Sequence, residues 1–191
     1  MSLPGPLLAL TNVACVRGGR LLFEGLGLTL AQGEAALVTG PNGAGKSSLL
    51  RLAAGLLRAD AGDVARAPGP LGFADEKAAL DPRQTLGRAL GFWAGVDGVS
   101  ATPGMAAMGI ERLGDVPVRM LSAGQRKRAA LARVISAGAP LWLLDEPANG
   151  LDADGLERLA AAMAEHRQRN GAILAATHVP IGLGDAKAVA L

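Results

Sequence analysis

The feature that most constrains this chain is a glycine-rich loop, GPNGAGKSS (residues 40–48), which follows directly on the apolar run AALVT (Ala35–Thr39). The loop matches the pattern G-x-x-x-x-G-K-[ST], whose successive backbone N–H groups surround phosphate oxygens. Those donors lie at the start of a helix, where the helix dipole favours anions. Residues 46–57 carry leucines at helical spacing. This part of the chain is therefore predicted to be a strand, loop and helix of an α/β fold.

Each part of the loop has its own predicted role. Glycines at three positions let the backbone turn tightly. Lys46 brings a positive charge to the β and γ phosphates, and the Ser47 hydroxyl is a candidate ligand of Mg²⁺. The predicted nucleotide-binding residues of the loop are Gly40, Pro41, Asn42, Gly43, Ala44, Gly45, Lys46, Ser47 and Ser48.

Strand-like and helix-like segments alternate along the rest of the chain, which predicts a mostly parallel sheet covered by helices on both faces. Near the N-terminus two alternating stretches flank RGGR and predict an antiparallel hairpin. The predicted strands are residues 8–16, 25–30, 35–39, 71–74, 141–144 and 172–177, and the predicted helices are residues 46–57, 85–94, 105–113, 122–137 and 152–169. We expect one domain over residues 1–191, with a small helical subdomain inserted at about 75–137.

Composition narrows the classes of function. The uncharged stretches are interrupted before they reach the roughly 20 residues of a membrane span, and the N-terminus lacks the pattern of a secretory signal. The single cysteine, Cys15, fits a reducing compartment, so we expect a cytoplasmic location. A net charge of +2 gives no reason to expect nucleic acid as a partner.

The segment LWLLDEP (residues 141–147) supplies the acidic groups that a phosphate loop needs. Its apolar residues predict a buried strand whose end places Asp145 beside the loop. Asp145 is the predicted Mg²⁺ ligand, directly or through water. Glu146 is the predicted general base or water-orienting group for attack on the γ-phosphate.

A second candidate anion site lies in MLSAGQRKRAALARV (residues 120–134). Ser122 is a favourable helix N-cap, and the residues after it offer further backbone N–H donors. The basic run Arg126, Lys127 and Arg128 lies on one helical turn, and we interpret it as a solvated face rather than a nucleic-acid patch.

LSAGQ resembles the LSGGQ signature of ATP-binding-cassette (ABC) proteins. The order of phosphate loop, signature, DE strand, NGLD (residues 149–152) and TH (residues 177–178) agrees with that family over nearly the whole chain. The resemblance implies a P-loop NTPase of the ABC ATPase type. Such a fold is α/β, with a mostly parallel core sheet, N-terminal antiparallel strands and a small helical subdomain.

The same resemblance implies ATP and Mg²⁺ as ligands and a head-to-tail dimer. In that dimer a signature, Ser122, Ala123, Gly124 and Gln125 here, caps the γ-phosphate bound by the partner copy. His178 would contact the γ-phosphate and the attacking water. Together with Glu146 it completes the predicted catalytic pair.

A closer resemblance, to the ABC systems of cytochrome c biogenesis (haem export), rests on ACVRGGRLLFEGLGLTL, VPVRMLSAGQRKRAALARV and THVPIGL. It implies an integral membrane partner similar to CcmB, peripheral attachment at the cytoplasmic face of the bacterial inner membrane, and work on haem delivery to apocytochromes. The transported or released substrate is not identified by any residue of the chain.

Several positions depart from the ABC pattern, among them Ala123, which replaces the second glycine of the signature. Ala74 and Asp75 stand where the family has a glutamine that reaches Mg²⁺ and senses the membrane subunit; we favour Asp75 as a metal-proximal substitute. Arg17 stands nearest to the aromatic residue that stacks on adenine, and a guanidinium plane can also stack on a base. Asn149 replaces a frequent serine.

Two other classes of function fit the same motifs. A soluble ABC ATPase, for example one that serves iron–sulfur assembly, would share every one of them. A nucleotide-binding regulator without hydrolysis is suggested by the missing glutamine, although Glu146 and His178 oppose it.

Overall fold

The computed structural model describes residues 5–75 and 79–191. Its strands form two sheets, one antiparallel with three strands and one parallel with five. This is the predicted α/β architecture with antiparallel strands near the N-terminus. The expected division into one domain with a helical insertion at about 75–137 stays a prediction.

The antiparallel sheet has the order β2-β1-β4, with β1 at Leu8–Arg17, β2 at Arg20–Leu30 and β4 at Ala61–Arg66. Gly18 and Gly19, both with positive φ, form the two-residue turn of the predicted hairpin. Strand β4 was not predicted. Its residues are mostly exposed and show no apolar alternation, and they become a strand by pairing with β1.

The parallel sheet has the order β5-β6-β7-β3-β8. Its strands are β3 (Ala35–Thr39), β5 (Leu71–Ala74), β6 (Leu141–Asp145), β7 (Ala172–Ala176) and β8 (Lys187–Ala190). Four of them lie within a residue of their predicted bounds. Strand β8 was missed because its largely exposed residues carry no strand pattern, and it is held by pairing with β3.

Five α-helices connect and cover these strands in the described part of the chain. They are α1 (Lys46–Ala53), α2 (Leu86–Asp97), α3 (Thr102–Ala107), α4 (Ala123–Ser136) and α5 (Ala153–Gln168). Helix α1 ends four residues earlier than predicted, before Gly55 at φ 74°. The predicted helix at 105–113 is α3 followed by a 3₁₀ turn, Glu111–Leu113, because Gly109 with positive φ interrupts it.

Alternate residues of the parallel strands belong to two separate cores, one on each face of the sheet. In β6, Trp142 and Leu144 pack on the face that α4 and α5 cover, whereas Leu141 and Leu143 pack towards α1 and the antiparallel sheet. Burial on both faces explains why the strands read as continuous apolar runs.

No helix within residues 5–75 and 79–191 combines the length and apolar character needed to cross a membrane.

Candidate functional site

The phosphate loop has the geometry that its glycines predict. Gly45 has φ 111°, and a Cβ there would lie 3.1 Å from the ring of Phe23. Gly45 precedes the first residue of α1, so the loop meets the helix N-terminus as expected. Strand β2 therefore packs directly against the loop, and any larger residue at position 45 would be strained in backbone and in contacts.

Lys46 is buried, at 8% exposure, and its ammonium group holds the loop together. Nζ donates to the Gly40 carbonyl at 2.8 Å and to the Pro41 carbonyl at 3.1 Å. The loop therefore wraps around the Lys46 side chain. Within the described residues, Lys46, Asp145 and Thr177 are the buried polar side chains, and the first two line one cavity.

That cavity, of about 600 Å³, brings together residues from distant parts of the chain. Phosphate-loop residues line one side and the predicted catalytic residues line the other. We call it the nucleotide cavity; its lining residues are Arg17, Leu22, Asn42, Gly43, Gly45, Lys46, Ser47, Ser48, Asp145, Glu146, Asn149 and His178. Among the predicted loop residues, Gly40, Pro41 and Ala44 do not line it.

The two acidic residues reach the nucleotide cavity from the end of β6. Strand β7 lies between β6 and β3, so Asp145 is one strand further from the loop than the sequence suggested. Glu146 has φ 44°, uncommon for a residue with a side chain, and its N–H donates to the Ala176 carbonyl at 2.8 Å. This turn directs the Glu146 carboxylate into the cavity instead of continuing the strand.

His178 lies beside Glu146. Its Nδ1 is 3.0 Å from Glu146 Oε2, within hydrogen-bond distance when that nitrogen carries the proton. The Glu146 side chain is 15% exposed and that of His178 is 62% exposed. An imidazole N–H in this position orients the carboxylate and leaves the histidine's other nitrogen accessible from solvent.

The opposite end of the nucleotide cavity is formed by the hairpin of β1 and β2. Arg17 lies at this end, as predicted, together with Leu22. Leu22 was missed because one apolar residue in an alternating strand has no distinguishing signal. A guanidinium and an aliphatic side chain, rather than an aromatic ring, therefore line this end of the cavity.

The signature residues form the start of α4. Ser122 Oγ accepts from the Gln125 N–H at 3.1 Å, and the Gln125 side chain accepts from the Ser122 N–H at 2.9 Å. This capping box confirms Ser122 as the N-cap. Ser122, Gly124 and Gln125 line a second cavity, separate from the nucleotide cavity. Ala123 lines a third one, a groove that Asp75 also lines.

The basic run on α4 is only in part the solvated face that was predicted, because Arg126 is exposed whereas Lys127 and Arg128 are partly buried. Arg126 donates to the Leu121 carbonyl, Lys127 to the Asp145 carbonyl at 3.2 Å, and Arg128 to Met108 and two aspartates. Three neighbouring cations thus bind three different parts of the chain. Sequence spacing could not show the contacts of Lys127 and Arg128, because the partners of these two residues come from other elements.

Ala74 ends β5, and Asp75 follows it at the edge of an adjacent groove of about 520 Å³. Ala74 is buried, and Asp75 lines this groove together with Glu146 and Asn149. Asp75 does not line the nucleotide cavity, so its proposed role near the metal stays untested. Residues 76–78 of the same segment lie outside the described residues.

The donor set at the phosphate loop fits Mg²⁺. Within the residues described, no cluster of three or more His, Cys, Asp or Glu side chains could hold a metal alone. The nucleotide cavity offers instead the buried carboxylate of Asp145 and the hydroxyl of Ser47. Mg²⁺ is typically bound by one or two such oxygens together with phosphates and water.

Comparisons with known proteins show which family the chain resembles. The family model described as "ABC transporter" matches residues 23–149. The chain is 57% identical over 182 residues to the cytochrome c biogenesis ATP-binding export protein CcmA of Sphingopyxis alaskensis, covering 94% of this chain and 93% of the relative. It is 49% identical to the protein of the same name from Novosphingobium aromaticivorans, covering 96% and 95%.

Solved structures share the fold. The ATP-binding subunit of an ABC transporter superposes with a TM-score of 0.87 at 22% identity, covering 97% of this chain and 85% of the other. An ATP-binding cassette in its ADP conformation gives a TM-score of 0.77 at 19% identity, covering 98% and 88%. At such low identity these likenesses show the fold alone.

Proposed function

Because this chain belongs to the ABC transporter ATP-binding family, and within it to the cytochrome c biogenesis ATP-binding export proteins, we propose that it hydrolyses ATP to drive a membrane partner in cytochrome c maturation. The observation that carries the proposal is the nucleotide cavity, which unites Lys46, Ser47, Asp145, Glu146 and His178. These residues come from distant parts of the chain and supply each group that ATP hydrolysis requires.

The phosphates of ATP bind to the N–H groups of residues 43–48 and to Lys46. In the structure Lys46 Nζ donates to two loop carbonyls. When a nucleotide binds, the ammonium group exchanges these neutral acceptors for charged phosphate oxygens, which form stronger hydrogen bonds. Glu146 orients the attacking water or accepts its proton, and His178 holds the Glu146 carboxylate in place. Ser47 and Asp145 would hold Mg²⁺, which neutralises charge on the phosphates.

A second copy of the chain completes the binding site for the γ-phosphate. The signature residues Ser122, Gly124 and Gln125 line a cavity of their own, away from the nucleotide cavity of the same chain. The Ala123 and Gly124 N–H groups begin α4 next to the capping box and are suited to an anion. We propose a head-to-tail dimer in which each signature, including Ala123, caps the nucleotide of the other copy.

The finer assignment concerns the membrane. We propose that an integral membrane subunit similar to CcmB binds this chain at the cytoplasmic face of the bacterial inner membrane, and that the complex acts in haem export or release. The relatives' names carry this part of the proposal, since they describe export proteins of cytochrome c biogenesis.

Replacing Glu146 with Gln tests the catalytic assignment. The amide keeps the shape of the side chain but cannot accept a proton, so ATP should remain bound and the dimer should accumulate. Gel filtration of the full chain with ATP and Mg²⁺ should show a dimer for Glu146→Gln. Wild type should turn over and elute mainly as a monomer. A monomeric variant with unchanged turnover would remove Glu146 from this role.

Purification from membranes tests the partner. A chain that drives a transporter should co-purify with a polytopic membrane protein after mild detergent extraction. Recovery only in the soluble fraction, with ATPase activity intact, would favour a soluble ABC ATPase such as one for iron–sulfur assembly.

A further inference from the structure

One short segment connects the nucleotide cavity of this chain to its own signature helix. Residues 145–152 leave the end of β6 and reach the N-cap of α5, Asp152. Between these ends, Glu146 and Asn149 line the nucleotide cavity. We call residues 145–152 the catalytic segment.

The first end of the catalytic segment is bound by α4. Lys127 Nζ donates to the Asp145 carbonyl at 3.2 Å. That carbonyl belongs to the peptide bond before Glu146, the residue with positive φ. Lys127 also lines the groove on which Glu146 and Asn149 lie. A cation from the signature helix therefore lies at the turn that directs the catalytic carboxylate.

The second end is bound by the next residue of α4. Arg128 donates through Nη2 to Asp152 Oδ1, and through Nη1 to Asp154 Oδ2 at 2.7 Å and the Met108 carbonyl at 3.1 Å. The Arg128 side chain is only 12% exposed. The nearby aspartates, Asp154 first, raise the pKa of Arg128, and the Gly155 N–H, followed by Arg128, lowers the pKa of Asp152.

The start of α4 also contacts the catalytic segment directly through the backbone. A Cβ at Gly124 would lie 2.7 Å from the Gly150 carbonyl, so the signature turn rests on the catalytic segment without a side chain between them. Gly124, Arg128, Gly150 and Asp152 line the same cavity. The start of α4 and the catalytic segment therefore cannot shift independently without breaking these contacts.

We propose that Lys127 and Arg128 form a two-ended clamp through which ATP in a chain's own cavity repositions the signature that the chain offers to its partner copy. Both are positioning residues, since neither lines the nucleotide cavity. The inference rests on the proposed function, because it assumes that ATP binds at residues 40–48 and that the signature acts on the other copy. It assigns a role to the basic run that composition had left as surface.

The physical reason is that two bonds on adjacent residues fix both ends of one segment. A change at Glu146 or Asn149 on nucleotide binding moves the segment, and the clamp transfers that movement to α4. Coupling between the nucleotide cavity and the signature is then expected to be of the usual size, a change of about 5- to 150-fold in binding affinity. Without the clamp, binding and signature position become independent.

Hydrogen–deuterium exchange on the full chain tests this, at a concentration where light scattering shows a monomer. ATP with Mg²⁺ should slow exchange at residues 40–48 and 145–152, and also at 120–128. In Arg128→Gln, slowing at 40–48 should persist while slowing at 120–128 falls about fivefold or more. Lys127→Gln, which opens the other end, should give the same pattern and serves if Arg128→Gln does not fold.

Two further variants separate positioning from general destabilisation. Arg158→Gln removes another cation that binds Asp154, but one on α5 that does not bind residues 145–152, and it should behave as wild type. Arg128→Lys should restore part of the response, because an ammonium group reaches one carboxylate but does not bridge two.

Each outcome decides something. Equal slowing at 120–128 in wild type, Arg128→Gln and Lys127→Gln overturns the clamp, as does its absence in wild type while 40–48 responds. No slowing at 40–48 overturns the nucleotide site itself and with it the proposed function. If Arg158→Gln also loses the slowing of exchange at residues 120–128, removal of any nearby positive charge would explain the result, and the clamp would be overturned.

Discussion

At the scale of single residues, burial decides what a charged side chain does. Lys46, Asp145 and Arg128 look equally polar in sequence, yet each is largely enclosed and each has defined contacts. A buried charge without partners is costly, so such residues are bound by carbonyls or by opposite charges. Their enclosure keeps the groups of the site in position before a nucleotide arrives.

Replacing Lys46 with Ala should remove most nucleotide affinity. One charge-assisted contact to phosphate is lost, at a cost of about 1.5 to 3 kcal/mol in binding free energy. The loop also loses two hydrogen bonds that close it around the side chain. Isothermal titration with ATP measures the change. Lys187→Ala, at a lysine that binds Thr29 and Glu34, is the matched control and should bind normally.

The buried His166 should make the free energy of unfolding decrease as the pH falls. Its ring stacks on Trp142 at 3.9 Å between centroids, and burial lowers its pKa from 6.5. Below 6.5 the unfolded chain takes up a proton that the folded chain resists. This contribution is therefore complete above pH 6.5 and is lost as the pH falls towards the lower pKa of the folded state.

Urea unfolding of wild type and His166→Phe checks this. Phenylalanine keeps a flat ring on Trp142 but has no proton to gain. The free energy of unfolding of wild type should drop more than that of the variant between about pH 7.5 and about pH 5. Parallel pH profiles for the two proteins would contradict the assignment to His166.

At the scale of elements, the ends of helices and strands depend on local chemistry where a cap or glycine is present. Helix α4 starts where Ser122 caps it, and α1 stops before Gly55. Strands β4 and β8 have no such signal and exist through their neighbours, β1 and β3. Elements with strong local signals were therefore predicted, and elements formed by pairing were missed.

Removing the cap of α4 should destabilise the fold moderately. Ser122→Ala loses the acceptor for the Gln125 N–H, which costs about 0.5 to 2 kcal/mol in the free energy of unfolding. Ser122→Thr keeps an oxygen at that position and should retain most of the stability. Thermal unfolding followed by circular dichroism measures both, and equal losses in the two variants would show that the cap is not the cause.

At the scale of the whole molecule, the parallel sheet separates two cores. Its central strands send alternate side chains to opposite faces, so α4 and α5 on one side and α1 with the antiparallel sheet on the other are fixed to the same backbone. The loop after β3 and the turn after β6 are thereby held at one edge of a rigid layer. The nucleotide cavity is a consequence of that shared edge.

Truncating Leu143, which has no exposed surface in the middle of β6, should cost about 2 to 5 kcal/mol in unfolding free energy. Leu143→Ala leaves a cavity that packed neighbours on both sides cannot fill. Leu56→Ala, at a leucine 67% exposed, is the control and should stay within about 0.5 kcal/mol of wild type. Urea titration at constant pH compares them, and similar losses would contradict the two-core account.

The sequence by itself determined the phosphate loop, the DE strand, the helix cap at Ser122 and the alternation of strands and helices. Glycine positions, apolar runs and caps act within a few residues, so their physical effect can be read along the chain. Tertiary structure alone decided that β7 separates β3 from β6, that Leu22 lines the nucleotide cavity, and that Lys127 and Arg128 bind the ends of the catalytic segment. Those contacts join residues far apart in sequence, and only the folded chain brings such partners within hydrogen-bond distance.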